Sequence, residues 1–245
     1  MNRTADYEFT VIVPLYNEVD NIPELERRLS AYIPCCRYRA CVLFVDDGSS
    51  DGSLDALREI CGRHRDFFYV SLGANCGLSS ALKAGFDCAC SEYIGYIDAD
   101  LQTDPEDFEI LLPYLEDYDM VTGFRTRRCD SLFRKFQSGI ANSFRRMMTG
   151  DGASDTGCPL KVFRAETVRK FPVFKGMHRF FPALVMLQDG ARYKEVPVNH
   201  HGRAAGKSKS SMWTRMKSSL ADCFAYRWMR SRQIRYTVTE SDMES

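Results

Sequence analysis

Residues 93–108 read YIGYIDADLQTDPEDF and hold four carboxylates within nine residues (Asp98, Asp100, Asp104 and Glu106); the first two directly follow a strand-forming run. On an extended backbone, residues i and i+2 point to the same side, so Asp98 and Asp100 set two like charges together at a strand end. Left alone they repel. With Gln102 as a third oxygen donor, the set can hold a hard divalent cation such as Mg²⁺ or Mn²⁺, which keeps waters and takes phosphate oxygens as its other ligands. The plain alternative is a solvated acidic turn that caps the helix starting near Pro105.

Outward from this stretch the chain alternates strand and helix. EFTVIVPL (8–15) is an apolar β-branched strand, and 17–33 follow as a helix with Ile22, Leu25, Leu29 and Ile33 at helical spacing. ACVLFVDDGSSDGS (40–53) is a strand ending in acids and a Gly-Ser turn, with Ser53 as N-cap of the next helix. A third strand at 67–73, a helix at 77–90, the strand YIGYID, a helix from 104 and a fifth strand at 118–125 complete the regular part. This order predicts an α/β fold, a mostly parallel central sheet with helices on both faces. Strands ending in YNE, DDGS and DAD would line one rim, where such sheets bind ligands.

After residue 125 the pattern loosens. Residues 130–150 read as a basic amphipathic helix closed by Gly150, 157–171 as a strand and a helix, and 191–203 as a strand. Residues 204–211, AAGKSKSS, are a flexible basic loop, 212–236 a second basic amphipathic helix, and 237–245 a polar tail expected to fray.

The formal net charge of +0 conceals a division: residues 1–120 hold 23 acids and 9 bases, and residues 121–245 hold 10 acids and 24 bases. The second half is therefore suited to an anionic partner such as phosphate, nucleic acid or a membrane surface. Ten cysteines without a CxxC argue against zinc and redox motifs and read as reduced thiols in a cytoplasm. The N-terminus has no signal-peptide pattern, and no window approaches about 18 apolar residues, so no spanning helix is expected. The four histidines lack any metalloprotease or triad context.

Other candidates sit at the remaining strand ends. In Pro14-Leu15-Tyr16-Asn17-Glu18, Tyr16 can lie against a flat base and Glu18 can bond a ring or sugar donor. Asp47, in Asp46-Asp47-Gly48-Ser49, can accept from a base N–H or a ribose hydroxyl. Polar strand-to-helix loops and N-caps explain both equally simply. Arg125, Arg127, Arg128 and Arg134 lie where the two halves join, and Arg203 and Lys209 flank the small-residue loop. Guanidinium forks suit phosphate oxygens, and such a loop can close over a ligand.

Taken in order, VIVPLYNE, VLFVDDGSSDGS, YIDADLQTDPE, VTGFR, SDTGCPLKVFR and HHGRAAGKSK resemble the family 2 glycosyltransferases of GT-A fold, nearest the branch that acts on dolichol and undecaprenyl phosphates. The resemblance spans 8–211 and implies a GT-A catalytic domain there, with 8–125 the nucleotide-sugar and metal half and 126–211 the acceptor half. It implies that Pro14, Tyr16, Glu18, Asp47, Asp98, Ala99, Asp100, Arg203 and Lys209 bind the nucleotide sugar, and that Asp98, Asp100 and Gln102 carry Mg²⁺ or Mn²⁺. Arg125, with Asp98 and Asp100, would act in catalysis; Arg125, Arg134, Ser208 and Lys209 would hold the acceptor phosphate. Gly206 belongs to the same loop pattern, and Asp155 matches an acid ahead of the GC strand.

The implied reaction moves a sugar from a nucleotide-diphosphate sugar to a polyprenyl phosphate, with inversion. A phosphate oxygen is already anionic near neutrality, its second pKa being about 6, so no general base is required. The alternative acceptor is a sugar hydroxyl, which needs a carboxylate base, Asp155 or Asp151. A non-catalytic nucleotide-sugar-binding protein is a third reading. The glycine-free, acidic PLYNEVDN counts against a nucleotidyltransferase. No nucleic-acid partner is implied, and self-association is left open. Trp213, Met216, Leu220, Phe224 and Trp228 share one face of the 212–236 helix among basic residues. That composition suits peripheral attachment to the cytoplasmic face of a membrane, and packing into the protein's own core or a second subunit suits it equally.

Overall fold

The computed structural model describes residues 3–125, 143–172, 174–199, 212–234 and 239–240, with the side chains of 212–219 excepted. Among them a seven-stranded sheet runs in the order β3-β2-β1-β4-β6-β5-β7. β1 (Phe9–Leu15) and β2 (Ala40–Asp46) are buried along their whole lengths, as their continuous apolar runs require. β3 (Phe67–Ser71) pairs parallel to β2, and β4 (Tyr93–Tyr96) pairs parallel to β1. The expected mostly parallel sheet is present. The sequence did not foresee that β6 (Lys161–Arg164) runs antiparallel between β4 and β5 (Met120–Arg125). β7 (Tyr193–Val198) closes the edge parallel to β5.

Helices cover both faces. On one, α1 (Ile22–Tyr32) and α2 (Ser53–Arg63) set Leu25, Leu29, Leu57 and Ile60 against Val11, Val13 and Phe44. On the other, α3 (Leu78–Cys88) sets Ala81, Leu82 and Phe86 against Ile12, Leu43 and Phe163. The helix expected from residue 104 is broken into a turn at Pro105–Asp107, the short α4 (Phe108–Leu111) and a turn at Leu112–Glu116, where Pro113 interrupts the ladder. α1 starts at Ile22 instead of residue 17, because Asn17 takes a positive φ of 52° and Pro23 sits in the first turn.

Beyond β5, residues 143–149 are helical (α5) and Gly150 ends them at φ 68°, as expected; 130–142 lie outside the described residues. α6 (Ala165–Arg169), α7 (Phe181–Met186) and α8 (Met212–Ser231) follow. α8 corrects one expectation. Its docked face is Cys223 and Tyr226, 2% and 1% exposed, whereas Trp228 is 63% exposed and so does not enter the core. Tyr226 stacks on Phe180 and donates to the Ala183 carbonyl at 3.1 Å.

Candidate active site

Strand order reverses direction between β1 and β4, so the loops leaving their carboxyl ends diverge and open a crevice. The last β1–β4 pair is Ile12 with Tyr96. Pro14 follows it, buried in β1, so its missing N–H falls where β4 has ended. Tyr16 and Glu18 leave β1 on this rim, half-buried, and Asp98 and Asp100 leave β4 beside them, also half-buried. Among the described residues the two non-glycine residues with positive φ, Asn17 (52°) and Leu101 (59°), fall in these two loops. A buried leucine held left-handed costs about 1–3 kcal/mol, which concentrates strain at the crevice.

The β1 and β2 loops are stitched together. Ser49 Oγ accepts from the Asn17 amide at 2.9 Å, Asn17 Oδ1 accepts from Ser50 at 2.8 Å, and Ser53 Oγ accepts from the Glu18 amide at 3.0 Å. Glu18 Oε2 accepts from Asn21 Nδ2 at 2.6 Å. Asp46, fully buried, braces its own turn through Ser49 N and Ser71 Oγ. Both oxygens of Asp47 accept backbone amides, from Cys76 and Gly77, each at 2.8 Å. What Asp47 visibly does is hold the loop that starts α3. Gly48 permits the approach: at φ 70°, a Cβ there would lie 2.5 Å from the Ala74 carbonyl carbon.

At the DAD turn, Asp98 Oδ1 accepts from the Tyr96 hydroxyl at 2.6 Å and Asp100 Oδ1 from the Gln102 amide at 3.3 Å. The Ala99 side chain is buried in the core, so only its backbone can face a ligand. Thr103, next along, has a buried Oγ1 without a hydrogen-bond partner. Two accessible carboxylates and an amide oxygen, with no closed cage of three His, Cys, Asp or Glu among the described residues, fit a hard cation shared between protein and phosphate.

Arg125 leaves β5 and turns its fork onto Asp155, Nε to Oδ2 at 2.7 Å and Nη2 to Oδ1 at 2.9 Å. Asp151, the other candidate base, is buried against Arg145 and also accepts from the Ala153 amide. Neither carboxylate stands open toward a hydroxyl. Beneath the site lies Lys161, 1% exposed, whose ammonium donates to the Cys158 carbonyl and, at 3.5 Å, to that of Thr156. Burial pulls its pKa below the ordinary lysine value, while Cys158, Asp155 and Asp98 pull the other way. Burial, reinforced by the Asp98 charge, pushes the Tyr96 phenol well above the usual tyrosine range, so it remains a donor. Sequence reading missed Tyr96 and Lys161. The signals were there: Tyr96 is two residues before Asp98, hence on its side of the expected strand YIGYID, and Lys161 is a charge inside an apolar run. Arg127, Arg128, Arg134, Arg203, Gly206, Ser208 and Lys209 lie outside the described residues.

Among the described residues no helix is long and apolar enough to cross a membrane. Solved structures share the architecture at low identity. A glucosyl-3-phosphoglycerate synthase from Mycobacterium tuberculosis, in complex with Mn²⁺, UDP-glucose and phosphoglyceric acid, superposes with TM-score 0.68 at 14% identity, over 92% of this chain and 81% of that one. A mannosyltransferase from Pyrobaculum calidifontis, with GDP-mannose and Mn²⁺, gives 0.62 at 21% identity, over 95% and 66%. The fold is therefore GT-A. A dodecaprenyl-phosphate galacturonate synthase from Rhizobium johnstonii is 36% identical over 207 residues, 82% of this chain and 61% of its own length. An undecaprenyl-phosphate 4-deoxy-4-formamido-L-arabinose transferase from Klebsiella pneumoniae is 36% identical over 206 residues, 82% and 62%. The chain thus spans about three fifths of the length of these curated relatives. The profile of the family described as glycosyl transferase family 2 matches residues 10–171, a stretch holding both the β1 loop and the DAD turn, and the chain belongs to that family.

Proposed function

We propose that this chain transfers a sugar from a nucleotide-diphosphate sugar to a polyprenyl phosphate, inverting the anomeric carbon, with a divalent cation. The observation that carries the choice of acceptor is the pairing of Asp155 with Arg125 and of Asp151 with Arg145. A hydroxyl acceptor needs a carboxylate poised to take its proton. Here both candidates in the acceptor half are committed to guanidinium groups, whereas a phosphate brings its own anionic oxygen. The relatives named above, whose names specify polyprenyl phosphates, support the same choice.

In this reading Tyr16 and Glu18 receive the nucleoside, and the Asp47-braced loop shapes the floor beside them. Asp98, Asp100 and Gln102 hold Mg²⁺ or Mn²⁺, which when bound supplies a Lewis acid against the charge that builds on the departing diphosphate. Arg203 and Lys209 share that charge, and Arg134, Ser208 and Lys209 hold the acceptor phosphate; Arg125, its fork on Asp155, fixes the acceptor side beside them. The test is incubation with a panel of nucleotide sugars and Mn²⁺, with and without undecaprenyl phosphate. Nucleotide release should depend on the lipid phosphate. Release indifferent to it and driven by a sugar acceptor would reverse the assignment. A second expectation concerns the basic loop: Arg203→Ala and Lys209→Ala should cut transfer roughly 10²-fold while nucleotide affinity, by calorimetry, changes little. Unchanged transfer would make the loop a linker.

α8 supports a peripheral position on the cytoplasmic membrane face. Leu220, Phe224 and Trp228 form an exposed ridge (42%, 61% and 63%), and Met147 from neighbouring α5 is 70% exposed. Arg230 donates to the Thr149 carbonyl, which ties the two helices together, and Arg146, Arg227 and Arg232 are exposed nearby. Basic residues at an anionic surface contribute about 1 kcal/mol each, and aromatic side chains can enter the interface. Truncating α8 would be a poor test, because Cys223 and Tyr226 fill the core. Phe224→Ser with Trp228→Ser leaves that face intact. Wild type should float with phosphatidylglycerol vesicles at low salt and detach at high salt, and the double variant should bind roughly tenfold more weakly or less. Unaltered flotation would remove the ridge from membrane binding, and a change in sedimentation instead would make it a subunit contact.

A further inference from the structure

We propose that Tyr96 is a positioning residue for metal binding: its hydroxyl pins one oxygen of Asp98, and buried Lys161 fixes the Tyr96 ring from behind. The inference rests on the reading of Asp98 and Asp100 as metal ligands. A phenylalanine would fill the same space in β4 without burying a hydroxyl, so the hydroxyl has to be explained by its partner. That partner is Asp98, at 2.6 Å, a short bond of the charge-assisted kind. The terminal torsion of an aspartate is soft, and a donor on a rigid ring with only two side-chain torsions removes that freedom.

Lys161 stands directly opposite Tyr96 in the antiparallel β4–β6 register, so both side chains lie on one face. Its ammonium is 5.8 Å from the centre of the Tyr96 ring, within cation–π range, where it draws electron density from the ring and sharpens the hydroxyl as a donor. The carbonyls it holds belong to Thr156 and Cys158, one and three residues after Asp155. A continuous run of contacts therefore joins Asp98, Tyr96, Lys161 and the 155–158 turn to the Arg125–Asp155 pair. The metal-side carboxylate and the acceptor-side ion pair are set by one buried cation.

The experiment measures Mn²⁺ alone binding to full-length protein, from the paramagnetic resonance signal of free Mn²⁺, for wild type, Asp100→Asn, Tyr96→Phe and Lys161→Gln. Melting is followed in parallel. Tyr96→Phe should weaken Mn²⁺ binding about tenfold, as loss of an outer-shell partner does, at an unchanged melting temperature. Its transfer rate should recover as Mn²⁺ is raised, which a folding defect would not allow. Lys161→Gln should weaken Mn²⁺ binding in the same direction, and it decides the matter if Tyr96→Phe does not fold. Wild-type Mn²⁺ affinity in the folded variants, with Asp100→Asn having lost it, overturns this inference and leaves the metal site standing. Wild-type affinity in Asp100→Asn overturns the site itself, and the inference with it.

Discussion

Asp100→Asn should lower sugar transfer by about 10³-fold while leaving the melting temperature within a few degrees of wild type. The substitution is nearly isosteric and half-exposed, and the Asp100 Oδ1 bond to the Gln102 amide can be kept by an amide oxygen. What is lost is negative charge. A hard cation held by two carboxylates and phosphate oxygens loses half of its charged protein ligands. Asp98→Asn should do the same at similarly small expense to stability, since an amide oxygen can still accept from the Tyr96 hydroxyl. Wild-type rates from both variants, or full activity in excess chelator, would sink the assignment. A plain acidic turn predicts both of those outcomes.

Arg125→Ala should destabilise the fold by about 3–5 kcal/mol, because it leaves the Asp155 carboxylate buried without its counter-charge. The pair is well enclosed, with side chains 16% and 8% exposed, and bidentate. For comparison, Arg28–Asp104 at 24% and 31% exposure belongs to the class worth about 0–1 kcal/mol. In a domain of this size the loss corresponds to a fall in melting temperature of roughly 10 °C. Replacing both partners, as Arg125→Met with Asp155→Leu, should recover most of the stability, since a packed apolar pair needs no desolvation. Transfer should stay low in the double variant. An unchanged melting curve for Arg125→Ala would show that the pair is not the brace described here. Recovery of activity along with stability would show that its only role is structural.

The fold was legible because its signals are local. Continuous β-branched runs at 9–15 and 40–46, each followed by an acidic or polar turn and a 3.6-period helix, leave few alternatives to a parallel sheet covered on both faces. The rim was legible for the same reason: residues at carboxyl ends of parallel strands must share one edge, so Tyr16, Asp47 and Asp98 could be placed together without coordinates. The direction of β6 was not legible. Whether a strand runs parallel or antiparallel depends on which neighbour it meets after a long connection, and its own residues do not encode that.

The roles of individual polar side chains divide in the same way. From the sequence alone, Asp98 and Asp100 are expected on one side of a strand end, by the two-residue period of an extended backbone; β4 stops at Tyr96, and the structure sets both in the turn that follows it. The sequence also points to an amphipathic helix over 212–236, which the structure ends at Ser231. Only the tertiary structure decided which way that helix faces: Cys223 and Tyr226 inward and Phe224 and Trp228 outward, because Phe180 and the Ala183 carbonyl offer a seat that fits a tyrosine. Only the tertiary structure could show that Asp47, a ligand candidate in the sequence, braces a neighbouring loop, and pair Asp155 with Arg125 and Asp151 with Arg145. A carboxylate looks the same in a sequence whether it will meet a ligand, an amide or a guanidinium. Its role is set by the partners that long-range packing brings within about 3 Å, and local sequence periodicity carries no record of that distance.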